Sequence, residues 1–287
     1  DYGYWVQAIG ERASLSDGGN ARKFINYFIA RHLFMGENRE EALELLKSHN
    51  ATHLLISYED VGKYYYISRI GSNETSDKSS LIPVFLASPD IQQEKKENGE
   101  IILIYLYQGD FNLDEDLFYE GKFYPKNLAV IKSVVLSVRT KDNQVLAFGH
   151  PKVIIVYNGE INEVPLNCIF FRGLEYLYKE DYGYEGCLYI IPASDKNKNV
   201  HSLGAGLFLS PITRNTAFAQ LYLFDKDERN YEEWKGFQKI YDDSDIAYEL
   251  RFYSQNNQVI GPLKIWKLNY DDSIKTNPDY TSVKLDI

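Results

Sequence analysis

Apolar positions over residues 1–71 recur at helical spacing. After the polar stretch SDGGN, Ala21, Phe24, Ile25, Phe28 and Ile29 fall at i, i+3, i+4, i+7 and i+8, one face of a helix. Asn20 is placed to cap its start and Gly36 to end it. A second helix follows in NREEALELLKSHN. Asn38 caps it, Glu40 and Glu41 sit in its first turn, and Lys47 and His49 sit in its last, as the helix dipole favours. THLLIS reads as a short buried strand. From about Ser72 the texture changes: IILIYLYQG, AVIKSVVLSVRT, QVLAFG, KVIIVYNG, CIFFRG and CLYIIP are β-branched and aromatic runs punctuated by Gly, Pro, Asn and Asp. SPITRNTAFAQLYLFD predicts one more helix, with Ser210 as cap and Pro211 at its first position. YELRFYS and PLKIWKLNY then close the chain as strands around the turn QNNQ. The pattern predicts an α+β fold. A helical N-terminal core spans 1–71, a β-rich region over 72–203 packs on it, and a later helix with closing strands over 204–287 completes it.

Composition narrows the class. A hydrophobic share of 44% and an aromatic share of 15% suffice for a large core and argue against disorder. The net charge of -10 makes nucleic acid or an anionic membrane surface a poor partner, since both bind through Lys and Arg. No apolar run reaches the ~20 residues of a membrane-crossing helix. The chain opens inside DYGYW with neither a methionine nor a signal-peptide pattern, which reads as the interior of a longer protein. Cys168 and Cys187 allow either two buried thiols or one disulfide, the latter implying an oxidising compartment.

Several patterns bear on chemistry. Asp110, Asn112, Asp114 and Asp116 alternate as calcium-binding oxygens can, yet the twelve-residue EF-hand loop needs Gly at its sixth position and Glu at its twelfth. Here those places hold Glu115 and Gly121, which makes a solvated acidic loop the better reading. The histidines show no paired metal spacing, and no nucleophile elbow is present. Asn50-Ala51-Thr52 and Asn73-Glu74-Thr75 are N-glycosylation tripeptides. In SYEDVGKYYYISRIGSN, Ser57 and Asp60 match a capping box that would start a helix near Tyr58. Gly62 and the run Tyr64-Tyr65-Tyr66-Ile67 favour a strand instead, and from the residues alone the two are balanced.

DYGYWVQAIGERASLSDGGN resembles the segment beginning W-W-D-Y-G in the catalytic subunit of oligosaccharyltransferase, the STT3 family, called AglB in archaea. DVGKYYYISRIGS resembles that family's second signature, D-x-x-K-x-x-x-(M/I) followed by R-I-G. Asp1, Tyr2 and Gly3 stand as the last three letters of the first motif, and Asp60, Lys63 and Ile67 at the marked positions of the second. The likeness is close over residues 1 to about 71 and weak over 204–270. The β-rich middle has no counterpart and reads as an insertion.

The resemblance implies an enzyme that transfers a lipid-linked oligosaccharide to the Asn of N-x-S/T outside the archaeal cell membrane. It implies that the divalent metal (Mn or Mg), its ligands and the lipid-linked donor belong to a multi-spanning membrane part, with this domain on the extracellular face and inactive alone. Its partner is the acceptor polypeptide. Asp1 would accept a bond from the Ser or Thr hydroxyl, with Tyr2 and Gly3 beside it. Asp60, Lys63 and Ile67 would line the same pocket, Ile67 touching the Thr methyl. That arrangement requires a helix from about Ser57 to Ile67, since a strand would send Asp60 and Lys63 to opposite faces. An extracellular β-rich binding or surface-layer module without enzymatic role is the alternative.

Overall fold

The apolar spacing builds helices where it holds, but they are short. A computed structural model describes residues 3–17, 23–88, 92–95, 99–142, 144–178, 183–195, 197–246 and 249–282. The chain divides into two units, Asp1–Ser80 with Asn215–Glu249 and Gly261–Ile287, and Leu81–Arg214 with Leu250–Ile260.

The first unit contains α1 (Gly3–Ala8), α2 (Lys23–Phe28), α3 (Arg39–Ser48) and α4 (Glu59–Gly71). It also holds an antiparallel sheet in which Leu263–Leu268 lies between His53–Ser57 and Phe237–Asp242. Asn38 caps α3 as its sequence predicts, accepting the Glu40 N–H at 2.7 Å. Among the described residues, the helix expected from Ala21 onward keeps α-helical form over the six residues of α2 and then widens into a π-helical segment, Ile29–Phe34. Asn20 and Ala21 lie outside the described residues. Leu43, Leu46, Leu54, Ile56, Tyr64, Phe218, Phe237 and Trp266 are buried in this unit.

The second unit is a β-barrel of seven strands. Going round the ring, the order is Glu160–Phe171, Lys152–Tyr157, Val130–Lys141, Ile101–Asn112, Val84–Ala87, Val200–Leu209 and Tyr184–Ser194. Each of these neighbours pairs antiparallel, and the ring closes through a parallel pairing of Glu160–Phe171 with Tyr184–Ser194. Alternate side chains turn inward, so Phe85, Tyr107, Leu136, Val138, Ile155, Leu166, Leu188 and Phe208 fill the interior. At the closing seam Cys168 stands opposite Cys187, and the two form a disulfide.

These strands correct the expected fold class. With 41% of residues in strands and 24% in helices, the protein is mostly β, not an α+β fold built on a helical N-terminal core. Two segments account for much of the difference. GAGLFL belongs to the barrel strand Val200–Leu209, although it leads directly into a helical pattern. That pattern, starting at Ser210, yields only Pro211–Arg214 and a π-helical turn, Ala219–Leu223.

The disulfide ties two strands whose parallel pairing closes the ring, across a separation of 19 residues. A loop of that length contributes about 3 kcal/mol by constraining the unfolded chain. Replacing both cysteines by Ala should therefore lower stability by about 3 kcal/mol, read from chemical denaturation with and without reductant. An unchanged midpoint in the variant would contradict this.

Candidate functional site

Helix α4 starts where Asp60 reaches back to the end of the preceding strand. Its Oδ2 accepts the Ser57 N–H at 3.0 Å. This is one half of the predicted capping box. The other half does not form, because the Ser57 hydroxyl is buried without a hydrogen-bond partner. Lys63 bonds Glu59 one turn back at 2.8 Å, a spacing that supports a helix by about 0.2–0.5 kcal/mol.

Burial decides between helix and strand. Val61, Tyr64, Ser68 and Gly71 are the buried residues of α4, at i, i+3, i+7 and i+10. Of the three consecutive tyrosines only Tyr64 is buried, while Tyr65 and Tyr66 are exposed. The Tyr64 ring packs against Phe218 at 5.3 Å between centroids, and its hydroxyl reaches the Thr216 hydroxyl at 3.4 Å. Local β preference in the tyrosine run is overridden by this one ring.

Gly71 ends the helix against the backbone of Ala30 and Arg31, where a Cβ would stand 2.9 Å from Ala30 C. Arg31 then holds the following loop, donating to the Gly71 carbonyl at 2.9 Å and pairing with Asp77 at 2.9 Å. Nothing in the sequence signals this clamp, whose partners lie 46 residues apart. Ser68 adds a second tie, donating to the Ser80 carbonyl at 2.7 Å and accepting the Ser80 N–H at 3.0 Å.

At 100° per residue, Asp60, Lys63 and Ile67 lie within an arc of about 60° beside the buried stripe. All three are half-buried. Burial pushes the Asp60 carboxyl above its ordinary value, opposed by the Ser57 N–H and by Lys63. The face thus offers an acceptor, an ammonium and an aliphatic contact in one strip.

Of the other expected site residues, Asp1 and Tyr2 lie outside the described residues. Gly3 opens α1 with its α-carbon against Ser14 and Ser16; a Cβ there would meet the Ser16 carbonyl oxygen at 1.9 Å, so only glycine fits. The four candidate calcium ligands do not converge. Asp110 pairs with Lys132 at 2.7 Å, and Asn112 is exposed at a strand end. Asp114 is buried and accepts the Ser210 hydroxyl at 2.5 Å, while Asp116 accepts the Lys126 N–H at 2.8 Å. Among the described residues no group of three His, Cys, Asp or Glu side chains is placed to hold a metal ion.

No protein-family profile matches the chain, and no curated protein is similar to it. Among solved structures it is similar to the C. jejuni PglB C-terminal domain, at 12% identity over 94% of this chain and 91% of that one, with a TM-score of 0.43. A likeness at that level carries no argument about function. Among the described residues no helix is long and apolar enough to cross a membrane.

Two glycines of α4 should respond oppositely to alanine. A Cβ at Gly62 would meet nothing within 4 Å, so Gly62→Ala should stabilise by about 0.5–1 kcal/mol through helix propensity alone. Gly71→Ala should destabilise, because backbone blocks the added carbon. Denaturant titration of the two variants checks both signs.

The Arg31 clamp sets an acid dependence. Bonds from Arg31 lower Asp77 from its ordinary 3.8 to about 2. A depressed carboxyl contributes stability above its unfolded value and loses it as pH falls through its folded value. Between about pH 4 and 2 the parent should therefore lose more stability than Asp77→Asn, measured by denaturation at fixed pH steps. Parallel curves would contradict this.

Proposed function

We propose that the chain is the extracytoplasmic domain of an archaeal-type oligosaccharyltransferase catalytic subunit, and that it reads the Ser or Thr of the acceptor N-x-S/T. The observation that supports this reading is the shared, half-exposed face of Asp60, Lys63 and Ile67 on α4. The spacing belongs to the motif; the helix makes it a surface. A disulfide between Cys168 and Cys187 suits an extracellular, oxidising location.

In this reading Asp1 accepts the acceptor hydroxyl, with Tyr2 and Gly3 beside it and Lys63 alongside. A peptide lacking the hydroxyl leaves that acceptor unpaired in the occupied site, at a cost of about 1–3 kcal/mol. Ile67 meets the Thr methyl, a contact of about 1 kcal/mol. Hydroxyl selection is therefore sharp, and preference for Thr over Ser is soft. The divalent metal (Mn or Mg) and the lipid-linked oligosaccharide are held by a membrane part outside this chain.

Two outcomes test the reading in the full-length enzyme. Lys63→Ala should lower transfer to N-x-T and N-x-S peptides about ten-fold or more, as expected for a contact to a charged group of about 1.5–3 kcal/mol. Ile67→Ala should shrink the Thr-over-Ser ratio by roughly five-fold while leaving N-x-S transfer near the parent value. Normal glycosylation by both variants would overturn the assignment of Lys63 and Ile67 to the acceptor pocket while leaving the transferase class standing; no transfer by the full-length parent would return the chain to the class of extracellular binding or surface-layer modules. The domain alone should form no glycopeptide with lipid-linked donor and metal; product above background would contradict its assignment as a recognition part.

A further inference from the structure

We propose that Asn73, in the loop that follows α4, is itself an N-glycan acceptor. Asn73-Glu74-Thr75 is an acceptor tripeptide with all three residues exposed. Its asparagine oxygen Oδ1 accepts the Thr75 N–H at 2.9 Å and the Thr75 hydroxyl at 2.7 Å. The Asp77 N–H approaches the same atom at 3.4 Å. Donors gathered on Oδ1 draw electron density from the amide, so the Nδ2 hydrogens become more acidic and the tripeptide folds into a tight turn.

The backbone is also free to enter a second protein's cleft. The bonds that hold Asn73 to Thr75 run within residues 73–77: the Asn73 N–H to Asp77 at 2.9 Å, the Ser76 N–H to the Asn73 carbonyl at 3.0 Å, and those named above. Lifting the tripeptide out therefore breaks nothing in a strand or a helix. The clamp from Arg31 to Gly71 and Asp77 marks where the movable stretch begins and ends.

The other tripeptide is built differently. Ala51 at its centre donates to the Leu46 carbonyl at 2.9 Å and accepts the Tyr270 hydroxyl at 2.7 Å. The Thr52 carbonyl accepts the Leu268 N–H at 2.9 Å, which ties it to the sheet, and the Thr52 hydroxyl is bonded to the His53 ring at 2.9 Å. Asn50-Ala51-Thr52 cannot leave the surface without unpicking that sheet edge. The structure thus selects Asn73 over Asn50.

The step is a group transfer. Asn73 Nδ2 bonds to the anomeric carbon of the first sugar of a lipid-phosphate-linked oligosaccharide. The carbon–oxygen bond to the phosphate breaks, and the lipid phosphate leaves with the electron pair. One amide proton is lost to solvent or to that phosphate. The proposal rests on the extracytoplasmic placement given above, not on the role of α4.

The test is peptide mass mapping of the full-length protein purified from its native cells, alongside Asn73→Gln and Thr75→Ala variants expressed in the same cells. The expected result is glycan on the Asn73 peptide, none on the Asn50 peptide, and complete loss of glycan in both variants. An unmodified Asn73 peptide, or glycan on Asn50 in its place, would overturn the proposal. Transfer to an added N-x-T peptide by the same preparations reads the proposed function separately, so the two can fail independently.

Discussion

The buried stripe of α4 sets the angle at which every other residue of that helix faces outward. Val61, Tyr64, Ser68 and Gly71 can lie inward only in a helix, and only at one rotation. Tyr64 fixes that rotation near the middle through Phe218 and Thr216. Gly71 fixes it at the end, where the Ala30–Arg31 backbone comes closer than any side chain permits. With both contacts in place, Asp60, Lys63 and Ile67 stand on the border between core and solvent. That border suits recognition: a group there is held by its neighbours and still reaches a ligand.

Charge placement follows from the same packing. Asp60 is buried enough to be raised, yet it keeps the Ser57 N–H and the nearby Lys63 as compensation. Lys63 is tethered to Glu59 on its own helix, which limits its rotamers without neutralising the strip. Past Gly71 the Arg31–Asp77 pair holds the loop that carries Asn73, so one arginine braces both the helix end and the turn after it.

The barrel of the second unit depends on a different constraint, the closure of a sheet on itself. Most of its strands were legible because β-branched and aromatic runs with Gly and Asn turns are strong local signals. The run beginning at Tyr157-Asn158-Gly159-Glu160 is one example, with Asn158 and Gly159 both at positive φ in the turn between two strands. Closure was not legible. It rests on pairing Glu160–Phe171 with Tyr184–Ser194 in parallel, and no local pattern specifies which strands meet. For the same reason the sequence leaves the cysteine pair open, and the register that sets Cys168 opposite Cys187 decides it. The overestimate of helix has a local cause: the apolar spacing at Ala21–Ile29, and the Ser210 cap with Pro211 behind it, are satisfied equally by a short helix that widens into π form. In the motif segment the residues alone could not choose between helix and strand, because Gly62 and three tyrosines oppose the capping pair. Tertiary burial of Tyr64 supplies the missing term.

The central claim is that the outward strip of α4 touches the hydroxylated residue of the acceptor. It is tested most directly by photocrosslinking in the full-length enzyme, using an acceptor peptide whose residue two after Asn keeps its hydroxyl and carries a diazirine in place of the Thr methyl. The account predicts that adducts map to α4 at or beside Lys63 and Ile67, and that excess N-x-T peptide suppresses them while N-x-A peptide does not. Adducts confined to other segments, or insensitive to N-x-T competition, would contradict it.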